Sequence, residues 1–271
     1  MNKDEIILKS RKLLYLNIFG ENQTAQYGSG FDYQGSKEYT TNDDIRHLNW
    51  RQIAKGGSIS TKLFSDSKKY NIVLLYLASG SLNFGKKPKL ELAIELITAL
   101  SYATIKSDNR LTNINITSKN QIVIKEQDID IVFNKISKLT PFGKLPNYND
   151  IQRFVNSVII NRSIIFVISD FLEEINLDFL NSKHEINAII LRDKAEENLD
   201  YLGEYEFIDT NSQKAKNFTI DKKTQQRYKE YMKNLDNKLY NYFTKNKINY
   251  KKIYTLDNPI EKLVEMLRYY E

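Results

Sequence analysis

A nearly unbroken run of apolar residues covers positions 72–77, and Ser79, Gly80 and Ser81 follow it. This pattern predicts a β-strand that is buried on both faces and ends in a loop rich in hydroxyl groups. Apolar residues then recur with helical spacing, at Leu90, Ala93, Ile94, Ile97 and Leu100. The strand, the loop and the helix together predict the first βα unit of an open parallel sheet.

Further apolar strands alternate with amphipathic helices along the rest of the chain. We predict strands at residues 111–116, 121–125, 163–169, 185–191 and 250–254, and a strand pair around residues 205–209 and 217–220. We predict helices at residues 3–19, 129–139, 150–160 and 222–244, and one that starts at Pro259. This alternation predicts an α/β fold with a doubly wound, mostly parallel sheet.

Residues 26–65 break this pattern, because they are polar and rich in glycine. Aromatic residues are spaced through the segment, at Phe31, Tyr33, Tyr39, Trp50 and Phe64. A segment of this kind cannot build a core alone, so we expect it to pack on the sheet domain through a buried Trp50 and its neighbours. The predicted regions are residues 1–70, with a helix and this partly β segment, and residues 71–271, with the α/β domain.

Composition narrows the possible functions. The chain has 271 residues, which is enough for one large domain, and no Cys, which excludes disulfides and thiolate catalysis. We therefore expect a cytoplasmic protein without membrane insertion, since residues 1–19 match neither a signal peptide nor a membrane span. The net charge of +6 permits an acidic partner. Because the lysines are scattered rather than clustered, the sequence argues against nucleic-acid binding.

The most specific motifs lie in residues 28–64, which contain Asp-Asp-x-Arg-x-x-Asn-Trp followed by Thr-Lys-Leu-Phe. The motif positions are Asp43, Asp44, Arg46, Asn49, Trp50, Lys62 and Phe64. These motifs resemble those of a bacterial family labelled domain of unknown function 58. The resemblance continues through residues 72–81 and through Ile-Ser-Asp-Phe at residues 168–171, and it extends over residues 10–270.

The resemblance implies a von Willebrand factor type A-like domain, a class that usually holds Mg²⁺ at a metal-ion-dependent adhesion site. The positions that correspond to the metal ligands are Leu77, Ser79, Ser81, Leu145 and Asp170. Leucine supplies no oxygen ligand, so we expect a degenerate site that holds no metal or other cofactor. Ser79, Ser81 and Asp170 should instead form hydrogen bonds with one another or with the backbone, although Asp170 could also cap a following helix.

The resemblance further implies a non-enzymatic protein-interaction module. Family members are commonly encoded beside MoxR-type AAA+ ATPases, which suggests an adaptor role in protein maturation or stress response. Ligands of open α/β sheets gather at the carboxyl ends of the strands, so we expect the partner to bind there. The residues expected to contact it are Ser79, Ser81, Leu82, Lys144, Asp170, Glu173 and Glu174.

The alternative is a metal-dependent hydrolase or nuclease that uses Asp43, Asp44 and Asp170. A structural interpretation competes with it, in which Asp44, Arg46 and Trp50 form a cluster that fixes the glycine-rich segment through ion pairing and stacking. The two histidines, at positions 47 and 184, are too far apart in sequence to suggest a catalytic pair. The number of carboxylates that meet at one site should distinguish the enzyme from the interaction module.

Overall fold

The computed structural model describes residues 2–14, 32–41, 43–65, 69–85, 87–173, 176–181, 183–199, 201–208 and 214–267. The chain divides into two compact units. The sheet unit consists of Met1–Ile18 with Tyr70–Glu271, and the hairpin unit consists of Phe19–Lys69. The first helix, which the sequence analysis grouped with the glycine-rich segment, thus belongs with the sheet.

Most elements follow the hydrophobic pattern. The strands are β1 (Asp32–Glu38), β2 (Ser60–Ser65), β3 (Asn71–Leu77), β4 (Arg110–Ile116), β5 (Gln121–Ile124), β6 (Ile164–Ser169), β7 (Glu185–Arg192), β8 (Gly203–Ile208), β9 (Ala215–Ile220) and β10 (Asn249–Tyr254). The helices are α1 (Lys3–Leu14), α2 (Trp50–Ile53), α3 (Lys89–Lys106), α4 (Ile129–Ser137), α5 (Tyr148–Val158), α6 (Asp178–Asn181), α7 (Lys194–Glu197), α8 (Lys222–Lys245) and α9 (Pro259–Leu267).

The predicted strands and the long helices are confirmed, with small differences at their ends. Residues 15–19 of the first predicted helix lie outside the described residues. Three single-turn helices were not predicted: α2, α6 and α7. None of the helices in the described ranges is long and apolar enough to cross a membrane.

The sheet unit is built on a six-stranded sheet with the order β10-β7-β6-β3-β4-β5. All neighbouring strands are parallel except β5, which pairs antiparallel with β4. The chain runs from β3 outward to β4 and β5, and then returns to β6 on the other side of β3. The doubly wound prediction is confirmed. The direction of winding changes between β3 and β6, which is where open α/β sheets bind ligands.

Alternating side chains of β3 are buried on both faces of the sheet. Val73, Leu75 and Leu77 belong to a core cluster that includes side chains of α5 and α8. Tyr76 is also completely buried, and the two-residue period of a strand places it on the opposite face. Helix α1 contacts α3 and α9. The opening strand is therefore the centre of the fold, as its apolar run predicts.

The hairpin unit is partly β, as predicted. Strands β1 and β2 pair antiparallel, and a register shift falls between Tyr33 and Gly35. Gly35 has a φ of 152°, a conformation that favours glycine, which explains its place at the bulge. The aromatic residue Phe31 lies outside the described residues. The prediction that this segment packs on the sheet domain stays a prediction.

Trp50 does not have the buried position that the sequence analysis gave it. Its side chain is 63% exposed, and the side chain of Arg46 is 84% exposed. Trp50 is the first residue of α2, and Asn49 caps this helix by accepting a hydrogen bond from the Gln52 backbone N–H. The ion pair of the predicted cluster, Asp44 with Arg46, is present as a local surface interaction.

Replacing Trp50 with alanine is accordingly expected to change the free energy of unfolding by less than about 1 kcal/mol, since surface substitutions seldom do more. Urea denaturation of the wild-type and variant proteins measures this difference. A loss of about 3–5 kcal/mol, as for an aromatic residue truncated in a core, would show that Trp50 is buried after all.

Candidate functional site

The crevice between the carboxyl ends of β3 and β6 brings together two polar loops. The hydroxyl of Ser169, the last residue of β6, donates a hydrogen bond of 3.0 Å to the carbonyl oxygen of Leu77, the last residue of β3. After β3, the backbone N–H of Gly80 donates to the carbonyl oxygen of Gly143 at 2.8 Å. The loops after β3, before α5 and after β6 therefore meet at one edge of the sheet.

Ser79, Ser81 and Asp170 form the hydrogen-bonded chain that the sequence predicts. The hydroxyl oxygens of Ser79 and Ser81 are 2.6 Å apart, and the Ser81 hydroxyl donates to Oδ2 of Asp170. Oδ1 of Asp170 accepts a longer bond, 3.4 Å, from the backbone N–H of Leu172. The alternative role of Asp170 as a helix cap is wrong, because the next helix, α6, starts only at Asp178.

Lys89, the first residue of α3, completes this chain. Its side chain is completely buried, and its Nζ donates to Oδ2 of Asp170 at 2.9 Å and also to Oε1 of Glu196. Asp170 is 2% exposed and Glu196 is 6% exposed. One buried ammonium thus lies between two buried carboxylates. We use the name lysine cluster for Lys89, Asp170 and Glu196 together with Ser79 and Ser81.

Glu196, the third residue of α7, is held in place by contacts at the start of this helix. The backbone N–H of Asp193 donates to Oε2 of Glu196 at 3.2 Å, and the backbone N–H of Ala195 donates to Oδ1 of Asp193 at 2.8 Å. These contacts form a capping box, which satisfies backbone donors at the start of α7. Since α7 directly follows β7, the next parallel strand, its first turn lies at the same edge of the sheet as Asp170.

Burial sets the protonation of the groups around Asp170. Burial raises the pKa of Glu196, and the charge of Lys89 opposes this shift. The hydroxyl of Tyr76 is buried without a hydrogen-bond partner among the described residues. Burial, with a smaller contribution from the charge of Asp170, raises the pKa of Tyr76, so its phenol stays neutral. The phenol of Tyr76 therefore adds no charge to the site.

These residues do not fit the Mg²⁺ site of this class of fold. Leu77 is completely buried in the core, and Leu145 packs against the same core. Of the five corresponding positions only Asp170 carries a charge, and the Lys89 ammonium lies 2.9 Å from it. Mg²⁺ requires a shell of oxygen ligands, and an adjacent ammonium repels it. Within each unit, no group of three or more described His, Cys, Asp or Glu side chains could hold a metal.

The acidic pair of the family motif is also ion-paired. Asp43 lies 2.6 Å from Nζ of Lys37, and it accepts hydrogen bonds from the backbone N–H and hydroxyl of Thr40. The guanidinium of Arg46 binds Asp44, with Nε 2.9 Å from Oδ2, and lowers the pKa of that carboxyl to about 2. Each carboxylate thus has its own cation, which suits a structural role better than acid–base chemistry.

Two other motif residues lie on β2. Lys62 pairs with Ser36 of β1, and the backbone of Phe64 pairs with Tyr33. The side chain of Phe64 lies outside what the structure describes. Lys62 and Phe64 therefore belong to the hairpin that carries the motif.

The surface available to a partner is smaller than predicted. Ser79, Leu82 and Asp170 are buried, so their predicted contact with a partner does not fit this structure. Ser81 is half-buried and Lys144 is exposed. Glu174 lies outside the described residues.

A cleft borders this edge of the sheet. Its volume is 440 Å³, and the residues that line it include Leu172, Glu173, Tyr231, Lys238 and Tyr242. Glu173 is half-buried, and this burial raises the pKa of its carboxyl, with a smaller contribution from the charge of Asp170. Helix α8 forms one wall of this cleft.

Two central residues of the site, Lys89 and Glu196, were not identified from the sequence. Lys89 precedes Leu92, Ala93 and Leu96 by three, four and seven residues, so it continues the apolar stripe of α3. A lysine in line with a buried stripe is a signal of a paired internal charge. For Glu196, the Asp-x-x-Glu spacing after a buried strand indicates a capping box.

This topology defines an open, doubly wound α/β domain in which the carboxylate at the switch point, Asp170, is paired with an internal lysine. The chain belongs to the family described as "Protein of unknown function DUF58", whose model matches residues 35–238. No curated protein sequence matches it.

The solved structures that resemble the chain include two from Bacteroides species. One is the conserved hypothetical protein BatB from Bacteroides thetaiotaomicron, at 8% identity, with a TM-score of 0.46 over 74% of this chain and 98% of that one. The other is an aerotolerance-related membrane protein from Bacteroides fragilis, at 12% identity, with a TM-score of 0.44 over 74% of this chain and 100% of that one.

Proposed function

We propose that this protein is a non-enzymatic protein-interaction module, which acts in the cytoplasm as an adaptor for a MoxR-type AAA+ ATPase in protein maturation or stress response. The partner class rests on the family to which the chain belongs. The proposal that the protein is not an enzyme rests on the lysine cluster. The proposal places the partner at the carboxyl edge of the sheet.

The pairing of Asp170 with Lys89 is the observation that carries this proposal. A catalytic carboxylate must reach its substrate or a metal, whereas Asp170 is 2% exposed and is bonded to Lys89 and Ser81. Glu196 is engaged by the same ammonium. The ionised groups at the switch point therefore stabilise the loops, and recognition falls to the surface around them.

That surface combines an exposed aromatic side chain with charged groups. Lys144 and Lys238 are exposed, Glu173 is half-buried, and Tyr231 is 60% exposed at the rim of the cleft. Tyrosine is enriched at protein interfaces, and rim charges set the rate and specificity of association. A folded protein partner fits such a mixed edge better than a small molecule does.

A pull-down from the native cell, with the MoxR-type ATPase tested first, examines the proposal. We expect the ATPase to be retained by the wild-type protein. Mg²⁺-dependent hydrolysis of a phosphodiester or peptide bond, abolished by Asp170→Asn, would instead support the hydrolase alternative.

Charge reversal at the cleft should weaken the ATPase complex. Glu173→Lys is expected to raise the Kd at least about tenfold, or ~1.4 kcal/mol, because it reverses the charge that a complementary partner surface would face at this position. The matched control is Glu185→Lys, since Glu185 is exposed at the amino end of β7, on the opposite edge of the sheet. Calorimetry gives both affinities. Equal losses for the two variants would remove the support for this edge.

A further inference from the structure

We propose that Lys89 is an internal cation that takes the place of the divalent metal in this class of fold. Its ammonium donates to the one carboxylate that the family's metal positions retain, Asp170, and this carboxylate also accepts from the hydroxyl chain of Ser79 and Ser81. This replacement is independent of the identity of the partner.

The oxygen atoms around the Lys89 ammonium are of the kind that binds a cation. Asp170 and Glu196 supply carboxylate oxygens, and Ser81 links the hydroxyl of Ser79 to Asp170. The loops after β3, β6 and β7 therefore converge on one positive charge. A metal ion would draw the same three loops together through the same oxygens.

The ammonium matters for stability because it is buried. An unpaired charge is unstable in a protein interior, and a buried pair survives only where hydrogen bonds satisfy it. Lys89 has two carboxylates, and Asp170 has two further donors, the Ser81 hydroxyl and the Leu172 N–H. Leu77, at a position where the metal site has a ligand, is consistent with this arrangement. An ammonium carries one positive charge and therefore neutralises fewer carboxylates than a dication does.

The two kinds of cation differ in one property that matters for recognition. A metal in such a site keeps an open coordination position, which an incoming carboxylate can fill. Lys89 is completely buried and its partners are internal, so it offers nothing to an incoming group. The loops are thus held permanently in the cation-bound arrangement.

Removing the ammonium should create a divalent cation site. Lys89→Met keeps a long unbranched side chain but leaves Asp170 and Glu196 without their cation. In thermal unfolding, Mn²⁺ at about ten times its Kd should raise the Tm of this variant by about 3–6 °C, and by less than about 1 °C in the wild-type protein. The control Lys89→Met/Asp170→Asn lacks one carboxylate and should not respond.

A saturable rise in the Tm of the wild-type protein with Mn²⁺ would overturn the proposal, because Lys89 would then not fill the site. A folded Lys89→Met variant that ignores Mn²⁺ would also overturn it. If this variant does not fold in buffer alone, refolding it with and without millimolar Mn²⁺ tests the proposal. Recovery only with Mn²⁺ supports the replacement, and no recovery contradicts it.

Discussion

Replacing Lys89 with methionine is expected to lower the free energy of unfolding by about 3–5 kcal/mol at neutral pH, which is the usual effect of removing one partner of a buried ion pair. The loss is large because both Asp170 and Glu196 stay buried, 2% and 6% exposed, without a cation. Asp170 keeps its bond from Ser81, which compensates only part of the charge. Urea denaturation measures the loss.

The loss should depend on pH with a definite sign. Burial already raises the pKa of Glu196 from its ordinary 4.5, and removing Lys89 removes the charge that opposes this shift. A carboxyl whose folded pKa exceeds its unfolded value stabilises the fold below the unfolded pKa, and this contribution is lost as the pH rises through the folded pKa. The deficit of Lys89→Met should therefore be smaller near about pH 5 than near about pH 7.

Lys135→Met is the matched control, because Lys135 pairs with Glu126 at the surface, where the two side chains are 46% and 35% exposed. An exposed pair contributes about 0–1 kcal/mol, so this variant should lose little at either pH. If Lys89→Met lost no more than Lys135→Met, or lost the same amount at both pH values, the buried cluster would not have the strength assigned to it.

Truncation of Phe243 is expected to destabilise the protein by about 3–5 kcal/mol, as for other buried aromatic residues. Phe243 is completely buried near the end of α8. Its ring centroid lies 5.5 Å from that of Phe171 in an edge-to-face arrangement and 5.3 Å from that of Tyr250. It thus joins α8 to β10 and to the loop that carries Asp170.

Phe218→Ala provides the comparison, because Phe218 is 51% exposed on β9 and should lose less than about 1 kcal/mol. Chemical denaturation followed by circular dichroism measures both variants. Similar losses at the two positions would mean that α8 is not anchored through Phe243.

The sheet could be predicted because its strands are short apolar runs whose lengths and bounds exclude long helices. Residues 72–77 and 163–169 are examples, and both lie at the centre of the sheet. The single-turn helices α2, α6 and α7 were missed, since one turn has no periodicity to detect. The only sequence signal for these short helices was a pair of capping residues, such as Asp193 with Glu196 at α7.

The site was predictable only in part. Ser79, Ser81 and Asp170 could be placed together because the carboxyl ends of neighbouring parallel strands meet. Lys89 and Glu196 are separated by 107 residues, and only the order of the strands brings them together. Trp50 was placed in the core from its residue type, whereas its position at the start of a single exposed turn decides its burial.

Calorimetric titration of Mg²⁺ and Mn²⁺ into the wild-type protein tests most directly whether the switch-point site works without a metal. We expect no saturable binding tighter than about 1 mM, equivalent to roughly −4.1 kcal/mol, because Lys89 already neutralises Asp170. A tighter saturable site that disappears in Asp170→Ala would contradict a metal-independent module.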